Sequence, residues 1–493
     1  MSSMKEWLSQ STGHEYGHFI NGEWLHQGPR KYELVNPALK EQVLGLFWEA
    51  DENIANEAVR AAHHAFDTWS QVPGPGRAEI IAKFASLMER DRDELAYILS
   101  AEQGKPLNEA IGEVQRAIKE ARFAAGEALR IEGKIIPSER TNVDIEVIGQ
   151  PIGVVAAIAP WNFPVVTPVR KIAPALAYGC TVVYKPATLT PWSSSKLMSL
   201  LREAGVPAGV VNQVIGSGQT IGPVLVNHPL VRGISFTGSS QQGMAIQQQA
   251  ARRLIPTQLE LGGKNPAVVL DTEDVESVAR QIVNAAFACS GQRCTAISRV
   301  IVVQPLAEVV TAAILQEVKK IQVGPAWDAQ ATMGPLISEE HLNTVVDYVH
   351  QGLQEGATLA YGGEQMSESE HSRGHYMLPT LFTNVTREMR IAREEIFGPV
   401  LSIITAADEE DAISMANDVA YGLAATVFTN RLSAARMAAK RLQAGMVHIN
   451  HGTASEPHVP FGGIKESGYG PYSIGSTNQQ FYMQTKVVYT QYQ

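Results

Sequence analysis

The run Ser-Gly-Gln-Arg-Cys-Thr at 290–295 sets a cysteine on a polar, glycine-containing turn behind a long amphipathic stretch. A thiol so placed is accessible, and Arg293 beside it would favour the thiolate, the form that attacks a carbonyl carbon. Cys180 and Cys289 fall instead on apolar faces and read as core residues. A structural thiol is the bland alternative for Cys294 too. Glu260 lies between Leu259 and Leu261, ahead of Gly262-Gly263, where apolar flanks suit a general base. The competing reading is an edge charge or an ion-pair member. In Pro160-Trp161-Asn162-Phe163-Pro164, directly after an apolar run, Asn162 has an amide N–H able to hold an oxyanion. Alternatively the segment is a Pro-bounded turn with Trp161 and Phe163 as packing. Two Gly-rich turns follow, Gly216-x-Gly218 with Gly222, and Phe236-Thr237-Gly238-Ser239-Ser240 with Gly243. Such turns let a phosphate approach backbone N–H groups at a helix start, although neither is a G-x-G-x-x-G after the first strand.

Those residues need a scaffold, and the periodicity supplies one. Helical spacing covers 51–70 and 76–130, interrupted by Gly126 and Gly133, and a polar β-leaning stretch follows at 142–148. From Pro151 short apolar runs alternate with helical segments. Strands are expected at 153–159, 181–184, 210–215, 233–236 and 267–270, with helices at 168–178 and 192–204. Strands separated by helices imply right-handed crossovers and a parallel sheet covered on both faces, a doubly wound α/β domain. A second βα-rich stretch runs from about 271 to 446, opening with a helix over 275–290 and a strand over 300–303. The tail, 481–492, alternates aromatic and β-branched residues with polar ones, as a strand able to pair with another subunit would. The ligand site belongs at the C-terminal ends of the parallel strands.

The bulk composition is compatible. At 493 residues two or three domains are expected, and 45% hydrophobic with 18% charged residues is globular. A net charge of −10 with no basic run argues against nucleic acid. Three cysteines offer no disulfide framework and suit a reducing compartment. With no signal-like N-terminus and no spanning apolar run, no membrane association and a cytoplasmic location are expected.

Seven runs in order, PWNFP at 160–164, KPA at 185–187, FTGS at 236–239, ELGGKNP at 260–266, GQRC at 291–294, EEIFGPV at 394–400 and PFGGIKESG at 460–468, resemble the aldehyde dehydrogenase superfamily, in particular its bacterial NAD(P)-dependent semialdehyde dehydrogenases. The resemblance implies a Rossmann-like cofactor domain (1–131 and 151–261), an α/β catalytic domain (262–450), a return segment (451–476) and a β oligomerisation arm (132–150 with 477–493), in a homodimer or homotetramer. It makes Cys294 the nucleophile toward a small-molecule aldehyde, with Asn162 and the Cys294 N–H holding the oxyanion, Glu260 activating the hydrolytic water and Lys171 supporting proton movement. On the NAD or NADP side it places Lys185 and Glu395 at the two riboses, Ser239 and the Gly238 and Gly243 backbone at the pyrophosphate, and Phe397 at the nicotinamide. Ile158, Trp161, Gly218, Phe236 and Leu261 border the same groove.

Departures from the family pattern matter as much. Many NAD-preferring members carry a glutamate where this chain has Thr188; a threonine can donate to a 2′-phosphate that a carboxylate would repel, so NADP is expected to be tolerated or preferred. After Gly470 comes Pro471-Tyr472-Ser473 in place of the usual Gly-Arg-Glu. Arg170 falls in the substrate tunnel, where arginine suits a carboxylate or sulfonate tail; the alternative is that it pairs with an internal acid. Thr167, Arg293 and Thr295 add polarity. Ala288 stands where some succinic semialdehyde dehydrogenases have arginine, which weakens succinate specifically. His448, His451 and His458 lack a Cys or Glu at ligand spacing and read as loop histidines near the entrance, with no metal expected. Rival readings are a dehydrogenase of neutral aliphatic or aromatic aldehydes, an acylating coenzyme A-dependent relative that the presence of Glu260 disfavours, and a non-catalytic structural or binding relative.

Overall fold

Short, wholly buried runs such as Val154–Ile158 (VVAAI) and Thr181–Lys185 (TVVYK) cannot sit on a half-wet sheet; they require cover on both faces. In the computed structural model, which describes residues 2–493, they lie side by side, in parallel, at the centre of an eight-stranded sheet. Val231–Thr237 and Thr257–Glu260 extend it in parallel on one side, and Val211–Gln213 on the other. Helix Val166–Ala177 is buried along its whole length, under helices Gly74–Arg90 and Leu107–Glu127. Helix Glu52–Trp69 covers the opposite face, packing Ile54, Ala58 and Val59 with Val154, Val183 and Val214.

The helical tract expected over 76–130 is three helices, Gly74–Arg90, Arg92–Gln103 and Leu107–Glu127. Gly104, in the left-handed region at φ 95°, caps the second, and Pro106 cannot continue it. Gly126 lies inside the third helix, because tertiary packing around Ala121 and Ala124 outweighs its weak propensity. The first fifty residues, for which the periodicity gave no elements, form helix Ser2–Ser11 and five strands; two of these, His18–Ile20 and Glu23–Leu25, complete an edge of the large sheet.

A second sheet of seven strands holds Asn265–Val269 and Ile297–Val303 in parallel at its middle, flanked by Val400–Ala406 and Ala424–Phe428. The tail strand Met483–Gln491 pairs antiparallel with Val143–Pro151 of its own chain, and Lys134–Ile136 completes a three-stranded arm. Ile135, Val487 and Tyr489 stand exposed on that arm. No helix among the described residues is long and apolar enough to cross a membrane.

Candidate active site

The helix expected over 275–290 stops at Phe287. Cys289 and Ser290 then both take left-handed conformations, at φ 55° and 57°, which reverses the chain. Two bonds to distant segments hold this costly turn: Glu109 accepts the Cys289 N–H at 2.8 Å, and Ser290 Oγ donates to the Gly334 carbonyl at 2.8 Å. Gly291 follows at φ 70°, its α-carbon packed so closely on the Gly398 carbonyl that no side chain fits. Cys294 emerges on the short polar turn before Ile297–Val303. Asn265 pins it there, donating to the Cys294 carbonyl at 2.7 Å and the Ala296 carbonyl at 2.8 Å. Gly263 lets that carbonyl approach, since a β-carbon there would lie 2.6 Å from it.

Cys294 opens onto a cavity of about 600 Å³. Of the residues singled out from sequence, Trp161, Asn162, Thr167, Arg170, Gly238, Ser239, Glu260, Leu261, Arg293, Thr295, Glu395 and Phe397 line the same cavity. Lys171 lies behind it, fully buried, with its ammonium donating to Ser235 Oγ at 3.0 Å. Burial brings that lysine down to about 8, against the pull of the Glu260 charge. Ile158, Lys185, Phe236, Gly218 and Gly243 sit at strand ends or helix starts beyond the cavity wall, and Thr188 lies in the turn after Lys185.

Glu260 ends its strand. Its carbonyl accepts from Gly238 N at 3.1 Å, and Gly468 pairs with it from the return segment. Its Oε2 accepts from Thr237 Oγ1 at 3.2 Å and lies 3.7 Å from Arg170 Nη1. Oε1 is buried with no partner among the described residues, a carboxylate oxygen with free lone pairs. Asn162 is held from two sides: its Nδ2 donates to the Gln292 carbonyl at 2.8 Å, and Lys105 donates to its own carbonyl at 2.9 Å. Lys105 is in turn paired with Glu113 at 2.6 Å, both wholly buried. Glu113 also accepts the backbone N–H groups of Val165 and Val166, at 2.9 and 3.0 Å, where the next helix begins. This Lys105–Glu113 pair was not singled out from sequence; a lysine and a glutamate eight residues apart look like ordinary surface charges.

The thiol differs from the sequence expectation. Burial, then the nearby Glu260 and Glu395 charges, push Cys294 up to about 12, and Arg170 and Arg293 only partly oppose them. The resting group is a thiol, because two carboxylates and desolvation outweigh the arginine named for its activation. Burial likewise raises Glu395 to about 7, although it accepts the Gly263 N–H at 2.9 Å. Phe397, at φ 58°, meets Trp161 edge-on at 5.4 Å, and its carbonyl accepts from His341 Nε2 at 2.8 Å.

Arg170 meets an internal acid. Its Nε and Nη2 donate to Glu120 at 3.1 and 2.9 Å, and the guanidinium stacks over Phe461 at 4.7 Å. Burial works against its charge, but Glu120 and Glu260 outweigh that and hold it protonated. Pro471-Tyr472-Ser473 returns the chain so that Ser473 bridges the Phe461 backbone at 2.7 and 3.0 Å, which fixes Phe461 against Arg170.

The histidines do not form one loop group. His448 lies on strand Met446–Ile449 at the edge of the second sheet, 4.9 Å from the His451 ring, and burial takes it down to about 4. His458 packs near Phe123 instead, at 6.5 Å.

A dinucleotide has a credible seat beside the cavity. Lys185 is buried, its ammonium donating to the adjacent Pro186 carbonyl at 2.8 Å and to no other acceptor among the described residues, and burial lowers it to about 8. Helix Ser240–Ala251, capped by Ser239, points its N-terminus at the groove, which favours phosphate. The Tyr32 hydroxyl fixes the Thr188 carbonyl at 3.0 Å, and Glu49 reaches the Ser217 N–H at 3.2 Å.

A parallel α/β fold with a cysteine turn, a buried glutamate and an asparagine around one cavity defines a class, and the family comparison agrees. The description of the aldehyde dehydrogenase family matches residues 24–488, and the chain belongs to that family. It is 40% identical over 476 residues to alpha-ketoglutaric semialdehyde dehydrogenase of Bacillus subtilis, covering 96% of this chain and 98% of the relative. It is 38% identical over 453 residues to the NADP(+) succinate-semialdehyde dehydrogenase of Escherichia coli, covering 92% and 93%. Among solved structures, betaine aldehyde dehydrogenase of Staphylococcus aureus in complex with NAD+ superposes with a TM-score of 0.95 at 33% identity, over 99% of this chain and 97% of that one.

Proposed function

We propose that the protein oxidises a short, anion-tailed aldehyde to its acid with NAD or NADP, through a thioester on Cys294. The observation that carries this is the convergence of Cys294, Glu260 and Asn162 on one cavity, with Glu260 Oε1 left free. Cys294 Sγ gives its proton to a water in the cavity and bonds the aldehyde carbon, and the oxyanion of the resulting thiohemiacetal is held by Asn162 Nδ2. NAD(P)+, which Lys185, Ser239 and Glu395 would hold, would supply the hydride acceptor for that carbon. The carbon–oxygen double bond re-forms as a thioester. Glu260 then takes a proton from water, water oxygen bonds the acyl carbon, and the Cys294 thiolate leaves. Lys171, at about 8, stands behind Glu260 as a group that can pass protons near neutral pH.

The residues that would hold the dinucleotide are Lys185 and Thr188 at the adenosine ribose, Ser239 and the helix start behind it at the pyrophosphate, and Glu395 with Phe397 at the nicotinamide end. With threonine at 188, no carboxylate at that position opposes a 2′-phosphate, which supports use of NADP.

Two arginines, Arg116 and Arg170, both held on Glu120, place guanidinium groups in the tunnel wall. That suits a carboxylate or sulfonate tail and disfavours a trimethylammonium one such as betaine aldehyde. Relatives named for semialdehydes agree with this. Assembly through the exposed arm into a homo-oligomer completes the proposal. The test is the initial rate of reduced-nicotinamide formation for anionic and neutral aldehydes, with each cofactor, and with Cys294→Ala as blank. Turnover lost in the blank and highest for anionic aldehydes supports the proposal; equal turnover of neutral ones overturns the tail assignment.

A further inference from the structure

Helix Leu107–Glu127 presents Glu109, Glu113, Arg116 and Glu120 at spacings of four, three and four, one stripe along one face. Glu109, Glu113 and Arg116 line the cavity. The two carboxylates nearer the N-terminus have structural partners, the Cys289 N–H for Glu109 and Lys105 for Glu113. Arg116 differs from both. Its Nε donates to Glu120 at 2.7 Å and its Nη1 to the Ser455 carbonyl, so the guanidinium is fixed in place. Its Nη2, although buried, has no acceptor among the described residues. Glu456 is near enough for its charge to act on Arg116, yet no hydrogen bond joins them. Arg293, which lines the same cavity, also has a buried nitrogen, Nε, without an acceptor among the described residues.

Arg170 cannot fill this role as it stands. Its Nε and Nη2 are committed to Glu120, and its Nη1 faces Glu260. Glu120 therefore serves two guanidinium groups at once, one with its donors used and one with a donor to spare. A buried, charged N–H on a residue that lines a cavity, with no acceptor among the described residues, is a contact an anion could complete, since leaving it unpaired is costly.

We infer that Arg116 is the residue that contacts the anionic tail of the substrate, through Nη2, and that Glu120 and Arg170 are positioning residues that hold its guanidinium. The inference rests on the anion-tail assignment above and names the residue responsible for it. The cavity then has two ends: Cys294 and Glu260 at the aldehyde, and Arg116 at the carboxylate or sulfonate.

The experiment uses the full-length protein with 4-oxobutanoate and its uncharged methyl ester as paired substrates, in wild type, Arg116→Gln and Arg116→Lys. In wild type the acid is expected to have the higher kcat/KM. In Arg116→Gln, KM for the acid should rise about 10- to 100-fold, the range a charge-assisted hydrogen bond commands, while kcat and all ester kinetics stay within about twofold. Arg116→Lys should recover part of the loss, because a point charge remains but the fork is gone. Ester turnover is the control for folding; should Arg116→Gln not fold, the several-fold rise in acid KM with unchanged ester kinetics in Arg116→Lys decides. A wild type that prefers the acid, with an unchanged acid-to-ester ratio in the Arg116 variants, overturns this inference and leaves the anion-tail assignment standing. A wild type without preference overturns that assignment itself.

Discussion

Glu260 raises the Cys294 thiol more than any other charged group does, second only to burial. Its replacement by glutamine should therefore make the cysteine more reactive in the resting protein, although turnover is lost. The ordinary thiol value is 9.0 and the buried one about 12. Three pH units correspond to about a thousandfold fewer thiolates, or about 4 kcal/mol. At about pH 8 the thiolate is then on the order of one part in ten thousand, so iodoacetamide should modify Cys294 slowly. The rate should climb about tenfold per pH unit with no plateau below about pH 10. Cys180 and Cys289 do not interfere, being wholly buried and also raised. Glu260→Gln removes one negative charge beside the sulfur and should speed alkylation about tenfold or more at fixed pH, read by mass spectrometry of the Cys294 peptide. A plateau near pH 8, or slower alkylation in Glu260→Gln, would refute the electrostatic account and make Glu260 the base that activates the thiol.

Other consequences can be checked in the same way. Lys105→Met strands the buried Glu113 carboxylate and should lower stability by about 3–5 kcal/mol, seen in the denaturation midpoint, with kcat reduced because Asn162 loses its anchor. Glu395 has a folded value near 7 against 4.5 ordinarily, so the folded state prefers its neutral form. Stability is thus lost as pH rises from about 4.5 to 7 and is level above that; Glu395→Gln should remove up to about 3 kcal/mol of this slope, measured as the variant-minus-wild-type midpoint at the two ends. Asn265→Ala frees the carbonyls of Cys294 and Ala296 and should cut kcat at least tenfold with little change in cofactor affinity, read by steady-state kinetics and cofactor titration. Thr188→Glu should shift the NADP-to-NAD ratio of kcat/KM toward NAD by about tenfold or more, a change the paired kinetics would expose.

Much of the scaffold was legible because its strands are short, apolar and separated by helices. Val154–Ile158, Thr181–Lys185 and Pro191–Ala204 fall within a residue or two of their periodic signals. The candidate centre was legible through the seven ordered runs that resemble the family; by local pattern alone Cys294, Glu260 and Asn162 each kept a structural reading beside the chemical one. What escaped were contacts between distant segments. Nothing local tells that Glu120 receives Arg170, that Lys105 reaches Asn162, or that Asn265 holds the Cys294 carbonyl. The direction of the Cys294 shift escaped for the same reason, since it depends on two carboxylates 34 residues before and 101 residues after it in the chain. Three of the N-terminal strands are three residues long, too short to show a period, and Leu39–Glu49 does not alternate cleanly between buried and exposed positions.

The central claim is a covalent acyl intermediate on Cys294 that Glu260 helps to hydrolyse, and trapping it is the most direct measurement. Glu260→Gln mixed with 4-oxobutanoate and NADP+ or NAD+, quenched in acid and digested, should give the Cys294 peptide carrying the aldehyde's mass less two hydrogens, with one reduced nicotinamide formed per site and little further turnover. No adduct, or an adduct on Cys180 or Cys289 in its place, would contradict the account.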